Sequence, residues 1–447
     1  MTFDKLILGG TLVTSTTTEQ ADIGITEGKI AAIGDLSQAS AAEVINAKGL
    51  HVFAGIIDTQ VHFREPGLTH KEDLESGTRA AIAGGVTTIF EMPNTNPNTT
   101  SRETLEDKLQ RANGRAWSNY AFFVGAASDN LQQLPELEVL PGTPGIKIFM
   151  GSSTGTLLVP DDETVFKVLT AGRFRCSVHS EDHFRLESRK ALQAGSPSAH
   201  SHPIWRDEEC AKLCTQRLIS LAEKAKRPVH VLHISSADEL PVLANAKKRG
   251  VDVTCEVTPQ HLWFAGPEAY DMHGTFMQMN PPVRNERNRS ALRQALKDGL
   301  FDVFGSDHAP HTIQEKLQPY PKSPSGMPGV QTLAPVLLTL MKELGLSLNQ
   351  FAKMASEKPA EIFGIANKGR LEVGMDADIA ILDLGEARTP NLEPGTITSM
   401  QSKCGWTPYL NEKLIGWPRF TLLAGNVVWR DGELLGTPSC KPVQFIR

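Results

Sequence analysis

The chain has 447 residues, 40% of them hydrophobic and 21% charged, with a formal net charge of -6. That length exceeds one ordinary domain and the composition is that of a globular protein, so one large unit with a smaller companion is expected. The acidic balance argues against a nucleic-acid partner, and no apolar run is long enough to span a bilayer.

The N-terminus lacks a basic start followed by an apolar stretch, so no signal peptide is expected. The first segment reads as short strands. Leu6-Ile7-Leu8 precede a Gly9-Gly10 turn and Leu12-Val13 follow it. Ile23-Gly24-Ile25 and Ile30-Ala31-Ala32-Ile33 flank Thr26-Glu27-Gly28-Lys29, a hairpin signal. The middle of the chain alternates short apolar runs with helix-like stretches. Runs lie near 51–57, 86–92, 120–125, 145–150, 174–179, 228–234, 251–257 and 301–306. Eight such runs over about 250–300 residues predict a (β/α)8 barrel of the TIM type over 51–369. Helices are predicted at Asp73 to Ala83, Asp207 to Ala225 and Ser290 to Lys297. At the far end Asp378-Ile379-Ala380-Ile381-Leu382 is a strand, and Gly425 to Trp429 leads into an Arg430-Asp431-Gly432-Glu433 turn. Residues 1–50 and 370–447 are therefore expected to build one small β-sandwich domain together. The six cysteines form no CxxC pair and read as reduced thiols of a cytoplasmic protein. Cys210 and Cys214, four apart on a helix, read as shared packing.

In such barrels chemistry sits where strands end and loops begin. Several runs do end in residues able to hold a metal. The first leads into Asp58-Thr59-Gln60-Val61-His62-Phe63-Arg64-Glu65-Pro66-Gly67. The fourth contains Lys147, the fifth ends at His179 and the sixth at His233. The eighth leads into Asp307-His308-Ala309-Pro310-His311. Imidazoles and carboxylates gathered at one barrel mouth suit a borderline metal such as Zn2+. A lone His ending a strand is more often structural, so the weight lies in the joint pattern. Lys147 inside an apolar strand has two readings: a buried salt bridge, or an amine carboxylated by CO2 into a bridging ligand.

Four phrases make the chain resemble the dihydroorotases of the amidohydrolase superfamily: Asp58 to Gly67, Met92-Pro93-Asn94-Thr95-Asn96-Pro97, Met279-Asn280-Pro281-Pro282, and Asp307 to His311. The likeness runs on into Gly374-Met375-Asp376-Ala377-Asp378, the return to the small domain. It implies a barrel with one or two zinc ions and Lys147 as the carboxylated bridging lysine. His179 and His233 then match ligands of the second metal, and His62 and Asp307 ligands of the first. The family pattern after the first strand is His-x-His, whereas this chain has Gln60 at the first position, a poorer donor that puts the first metal in question.

The remaining motif residues fit an anionic cyclic substrate. Arg64, two beyond His62 and so aimed to the same side, suits a carboxylate. Asn94 and Asn280 can bond ring amides, and His311 can add a contact to the carboxylate. His261 is left between support and structure. His70, His183, His200, His202, His230 and His273 carry no assignment. The implied reaction is hydrolysis of dihydroorotate to N-carbamoyl-aspartate and its reverse, by water activated at the metal, with Asp307 passing the proton to the leaving nitrogen. Two loops are candidate lids: Ser152-Ser153-Thr154-Gly155 and 318–329. The alternatives are a sister cyclic amidase (allantoinase, dihydropyrimidinase or hydantoinase) and an inactive partner of aspartate transcarbamoylase. Arg64 argues against the first and the retained donors against the second. A homo-oligomer acting on a small molecule is expected.

Overall fold

A computed structural model of the chain describes residues 2–153, 156–194 and 198–447. The eight apolar runs supply eight parallel strands. They are β1 Ile56–Val61, β2 Val86–Glu91, β3 Asn119–Phe122 continued by Val124–Gly125, β4 Ile146–Phe149, β5 Cys176–His179, β6 Val229–Val231, β7 Val253–Val257 and β8 Val303–Phe304. Each pairs in parallel with the next. The ring closes where Val61 bridges His308 and the His62 amide donates to the His308 carbonyl at 2.7 Å. The strands are buried almost end to end because helices cover the outside and side chains fill the inside.

Local chemistry fixes the outer helices. Asp73 caps Leu74–Ala83 by accepting from Ser76 N, and Asp207 caps Glu208–Ala225 by accepting from Cys210 N. Cys210 and Cys214 both turn into the packed face of that helix. The helix expected from Ser290 starts at Glu286, where Asn285 caps it by accepting from Asn288 N. Its polar first turn hides that start, since the apolar face begins only at Leu292.

Strands from both chain ends form one mixed sheet. Its order is Glu433–Leu434, Asn426–Arg430, Trp417–Leu423, Ile379–Asp383, His51–Ala54, Thr2–Val13, Thr18–Thr26, Lys29–Gly34. Thr2–Val13 pairs in parallel with Ser40–Asn46 along its first half and with His51–Ala54 along its last residues, so the sheet divides there. Ile7, Ile23, Ile25, Ile45, Val52 and Ile379 form its core. Gly9-Gly10 does not turn the chain. It makes a bulge inside one twelve-residue strand, with Gly9 at φ 71°, a conformation that glycine adopts without strain. The Glu27-Gly28 hairpin forms with both residues at positive φ, as a type I′ turn requires.

The first apolar run straddles the two units. His51–Ala54 belongs to the end sheet and β1 begins after Gly55, so the change of unit falls at Gly55 instead of at 50/51. A Cβ on Gly55 would lie 2.1 Å from Thr87 Oγ1, which keeps this crossing narrow. Nor do all residues after 370 stay with the sheet. Pro442 bridges Tyr120, and the Phe445 ring lies 5.8 Å from Phe90, against the barrel. The Trp406 indole donates to the His311 carbonyl at 2.8 Å. Among the described residues no helix is long and apolar enough to cross a membrane.

Candidate active site

Gln60, His62, Arg64, Lys147, His179, His233, Asn280 and Asp307 line one tight cavity at the carboxyl ends of the strands. A larger, open groove lies on the outer helices, lined by Lys212, Glu223 and Arg249 among others, with no histidine or cysteine. The chemistry therefore sits in the smaller cavity. Three of its residues hold the left-handed backbone conformation: Arg64 (φ 66°), His233 (φ 37°) and Asp307 (φ 43°). Non-glycine residues rarely adopt it, and such strain gathers at functional sites.

Strand alternation places the inner side chains. In β4, Ile146 and Ile148 join the core between barrel and helices, while Lys147 and Phe149 face inward. The Lys147 amine lies over the Phe149 ring, 4.5 Å from its centroid. The residue is 1% exposed and has no ion pair within 4 Å among the described residues. Burial lowers its pKa to about 7, with Glu256 and Asp307 opposing. The buried-salt-bridge reading of Lys147 therefore does not hold in this arrangement.

Asn94 Oδ1 lies 2.8 Å from His62 Nδ1, and Asp307 Oδ1 lies 3.3 Å from His62 Nε2, so an acceptor oxygen faces each ring nitrogen. His179 Nε2 stands 3.1 Å from Glu181 Oε2. Burial would raise the Glu181 pKa, but the Arg206 guanidinium and the His179 ring outweigh it and keep the carboxylate charged. His179 Nδ1 faces His233 Nε2 at 3.0 Å. Burial pushes all three imidazoles towards the neutral form.

On the substrate side, Arg64 Nε donates to the Pro310 carbonyl at 3.1 Å, and one terminal nitrogen lies 3.2 Å from His311 Nε2. Arg64 is 2% exposed, and among the described residues no carboxylate forms an ion pair with it. Burial lowers its pKa to about 10. His311 Nε2 donates to the Ser325 carbonyl at 3.0 Å, and its Nδ1 accepts from Lys71 Nζ at 3.1 Å. Asn280 Oδ1 accepts from His202 Nε2, which also donates to the Met279 carbonyl.

Asn94 and His311 thus stand behind the lining residues, where they orient His62 and Arg64. His261 Nε2 donates to the Pro281 carbonyl at 3.1 Å and so supports the segment that carries Asn280. Sequence reasoning missed Glu256, which accepts from the His233 amide and from Thr59 Oγ1 and is pushed up to about 8 by burial. A carboxylate inside the apolar run Val253–Val257 is the same signal that exposed Lys147. Lys71, Glu181, Arg206 and His202 were also missed as supports, having no motif of their own. Of the lid candidates, Ser153, Ser325 and Gly326 line the cavity, while Thr154 and Gly155 lie outside the described residues.

The donor set can be tested for a metal on the His179–His233 pair. Two ring nitrogens facing each other at 3.0 Å need a proton or a cation between them, since lone pairs repel. His233 Nδ1 is buried and without a hydrogen-bond partner, and so is Gln60 Oε1. No three His, Cys, Asp or Glu side chains among the described residues converge on one point in this arrangement. The set nevertheless fits a cation: neutral imidazoles and a buried lysine of low basicity around one small cavity.

The amidohydrolase family model matches residues 51–407. A curated dihydroorotase from Methanosarcina mazei is 35% identical over 433 residues, covering 94% of this chain and 93% of the relative. A dihydroorotase from Bacillus cytotoxicus is 35% identical over 419 residues, covering 93% and 95%. Among solved structures, the L-hydantoinase (dihydropyrimidinase) from Arthrobacter aurescens superposes with a TM-score of 0.92 at 29% identity, covering 99% of both chains. The dihydropyrimidinase from Brevibacillus agri superposes with a TM-score of 0.90 at 30% identity, again covering 99% of both. With this barrel, this donor set and these relatives along nearly its whole length, the chain belongs to the amidohydrolase family, among the cyclic amidases that include dihydroorotases and hydantoinases.

Proposed function

We propose that the protein is a metal-dependent dihydroorotase, which opens the ring of dihydroorotate to N-carbamoyl-aspartate and closes it again in pyrimidine biosynthesis. Arg64 is the observation that carries the reading. A guanidinium so deeply buried without a carboxylate partner is costly unless an anion arrives to meet it. The ring carboxylate of dihydroorotate is such an anion, and guanidinium binds it through two parallel hydrogen bonds. The sister hydantoinase reading is favoured by the fold neighbours, but dihydrouracil and hydantoin carry no carboxylate for Arg64.

Lys147, His179 and His233 are the residues that would hold the metal, with His62 and Asp307 across the cavity from them, and zinc is the ion expected for this donor set. Lys147 would serve as its carboxylated form. When bound, the cation supplies a Lewis acid and a water of lowered pKa. Asp307 takes the proton from the attacking water and delivers it to the leaving ring nitrogen. Arg64 fixes the carboxylate and so sets the ring in the cavity. His311 packs against the edge of Arg64, its Nε2 3.2 Å from a terminal guanidinium nitrogen. Asn280, with its oxygen held by His202, presents its amide N–H groups to a ring carbonyl. Asn94 orients the His62 ring through its contact with Nδ1. Free cysteines suit a reducing, cytoplasmic setting.

The test is a substrate panel on metal-loaded protein: dihydroorotate, dihydrouracil, hydantoin and allantoin, with and without aspartate transcarbamoylase. Fastest turnover of dihydroorotate by the chain alone is the expected result. Faster turnover of a neutral ring would replace the reading with a sister amidase. Activity on none, alone or mixed, would replace it with a scaffold.

A further inference from the structure

Gln60 occupies the place at which the family pattern has an imidazole, and the structure gives it another role. It is 1% exposed and fixed on three sides. Its amide N–H donates to Asp58 Oδ1 at 3.2 Å, its carbonyl accepts from Ser306 Oγ at 3.4 Å, and its side-chain Nε2 donates to Asp307 Oδ1 at 3.1 Å. We propose that Gln60 is a positioning residue that holds Asp307 by a hydrogen bond instead of ligating metal, so that the chain takes one divalent cation, on the Lys147–His179–His233 side. This rests on the metal-dependent hydrolase reading but not on the identity of the substrate.

The two sides of the cavity differ in what they offer a cation. On the Gln60 side an amide N–H, which has no lone pair to give, points at the same Asp307 oxygen that lies 3.3 Å from His62 Nε2, and the unpaired acceptor there, Gln60 Oε1, is a neutral amide oxygen. Turning the amide over would aim Oε1 at the carboxylate, acceptor against acceptor. That orientation becomes favourable only with a cation already in place, and a neutral amide oxygen is a poor partner for zinc beside imidazole. On the other side two ring nitrogens converge at 3.0 Å, next to the buried Lys147. Replacing an imidazole by an amide thus exchanges a ligand for a brace on the proton-carrying carboxylate.

The experiment is metal counting on the full chain, stripped with a chelator, reloaded with Zn2+ and gel-filtered before elemental analysis. Wild type should retain about one ion per chain, His62→Asn should still retain about one, and His179→Asn should retain none. Gln60→His should raise the count to about two, since imidazole restores a donor. Two ions in wild type, or loss of the ion in His62→Asn, would overturn the inference. A measurement on wild type alone guards against variants that fail to fold. Reloaded with Mn2+, the chain should give the resonance spectrum of an isolated ion, and an exchange-coupled pair would refute the claim. A chain that binds one ion but opens no ring leaves this inference standing and removes the dihydroorotase reading. One that binds two ions and turns over dihydroorotate does the reverse.

Discussion

At the scale of single residues, the site depends on groups whose charge is set by burial. Carbon dioxide adds only to a neutral amine. With the Lys147 pKa lowered to about 7, the ammonium persists below that pH and the amine is free above it. In metal-free protein supplied with 13C-bicarbonate, a carbamate signal should therefore rise between roughly pH 6 and pH 8, where an ordinary lysine is still fully protonated. No signal up to that pH, or one that survives Lys147→Ala, would contradict the assignment. Asp307→Asn should abolish turnover and leave the fold intact. Asparagine cannot take the proton from water, yet its carbonyl can still accept from Gln60. More than a tenth of the wild-type rate would mean that another group is the base. Most of these side chains were legible as residue types at strand ends. Their supports were not: His202 behind Asn280, Lys71 behind His311 and Glu181 behind His179 lie far apart in sequence or in no motif, and only the folded barrel brings them together.

Among elements, the barrel strands were legible because parallel strands covered on both faces read as continuous apolar runs. The crossing between units was not, because the apolar residues Val52-Phe53-Ala54 run on into Ile56-Ile57 with only Gly55 between them. A methyl group at Gly55 would meet Thr87 Oγ1 at 2.1 Å and Thr87 Cβ at 2.8 Å. Gly55→Ala should therefore cost about 1–3 kcal/mol by overpacking. The unfolding midpoint in urea should fall, while KM of the surviving folded protein stays unchanged. A neutral effect on the midpoint would show that the crossing has more slack than this packing implies. The Gly9-Gly10 bulge escaped the sequence for a related reason: paired glycines signal a break in strand geometry without saying whether the chain turns or bulges.

For the whole molecule, the end sheet and the C-terminal residues hold the barrel from outside while the site stays at its mouth. Val443 N donates to the Tyr120 carbonyl and Ile446 N to the Gly364 carbonyl, and Phe445 packs against Phe90. Deleting residues 442–447 should lower thermal stability with little change in KM, because these contacts lie away from the cavity lining. A large rise in KM would tie the tail to the site. Selection of a ring carboxylate by the buried Arg64 can be read from kcat/KM for dihydroorotate and for dihydrouracil, measured on metal-loaded wild type and Arg64→Met. Arg64→Met should lose about a hundredfold or more on dihydroorotate, roughly 2.7 kcal/mol, and far less on the neutral ring. Equal losses on both rings, or none on dihydroorotate, would contradict it.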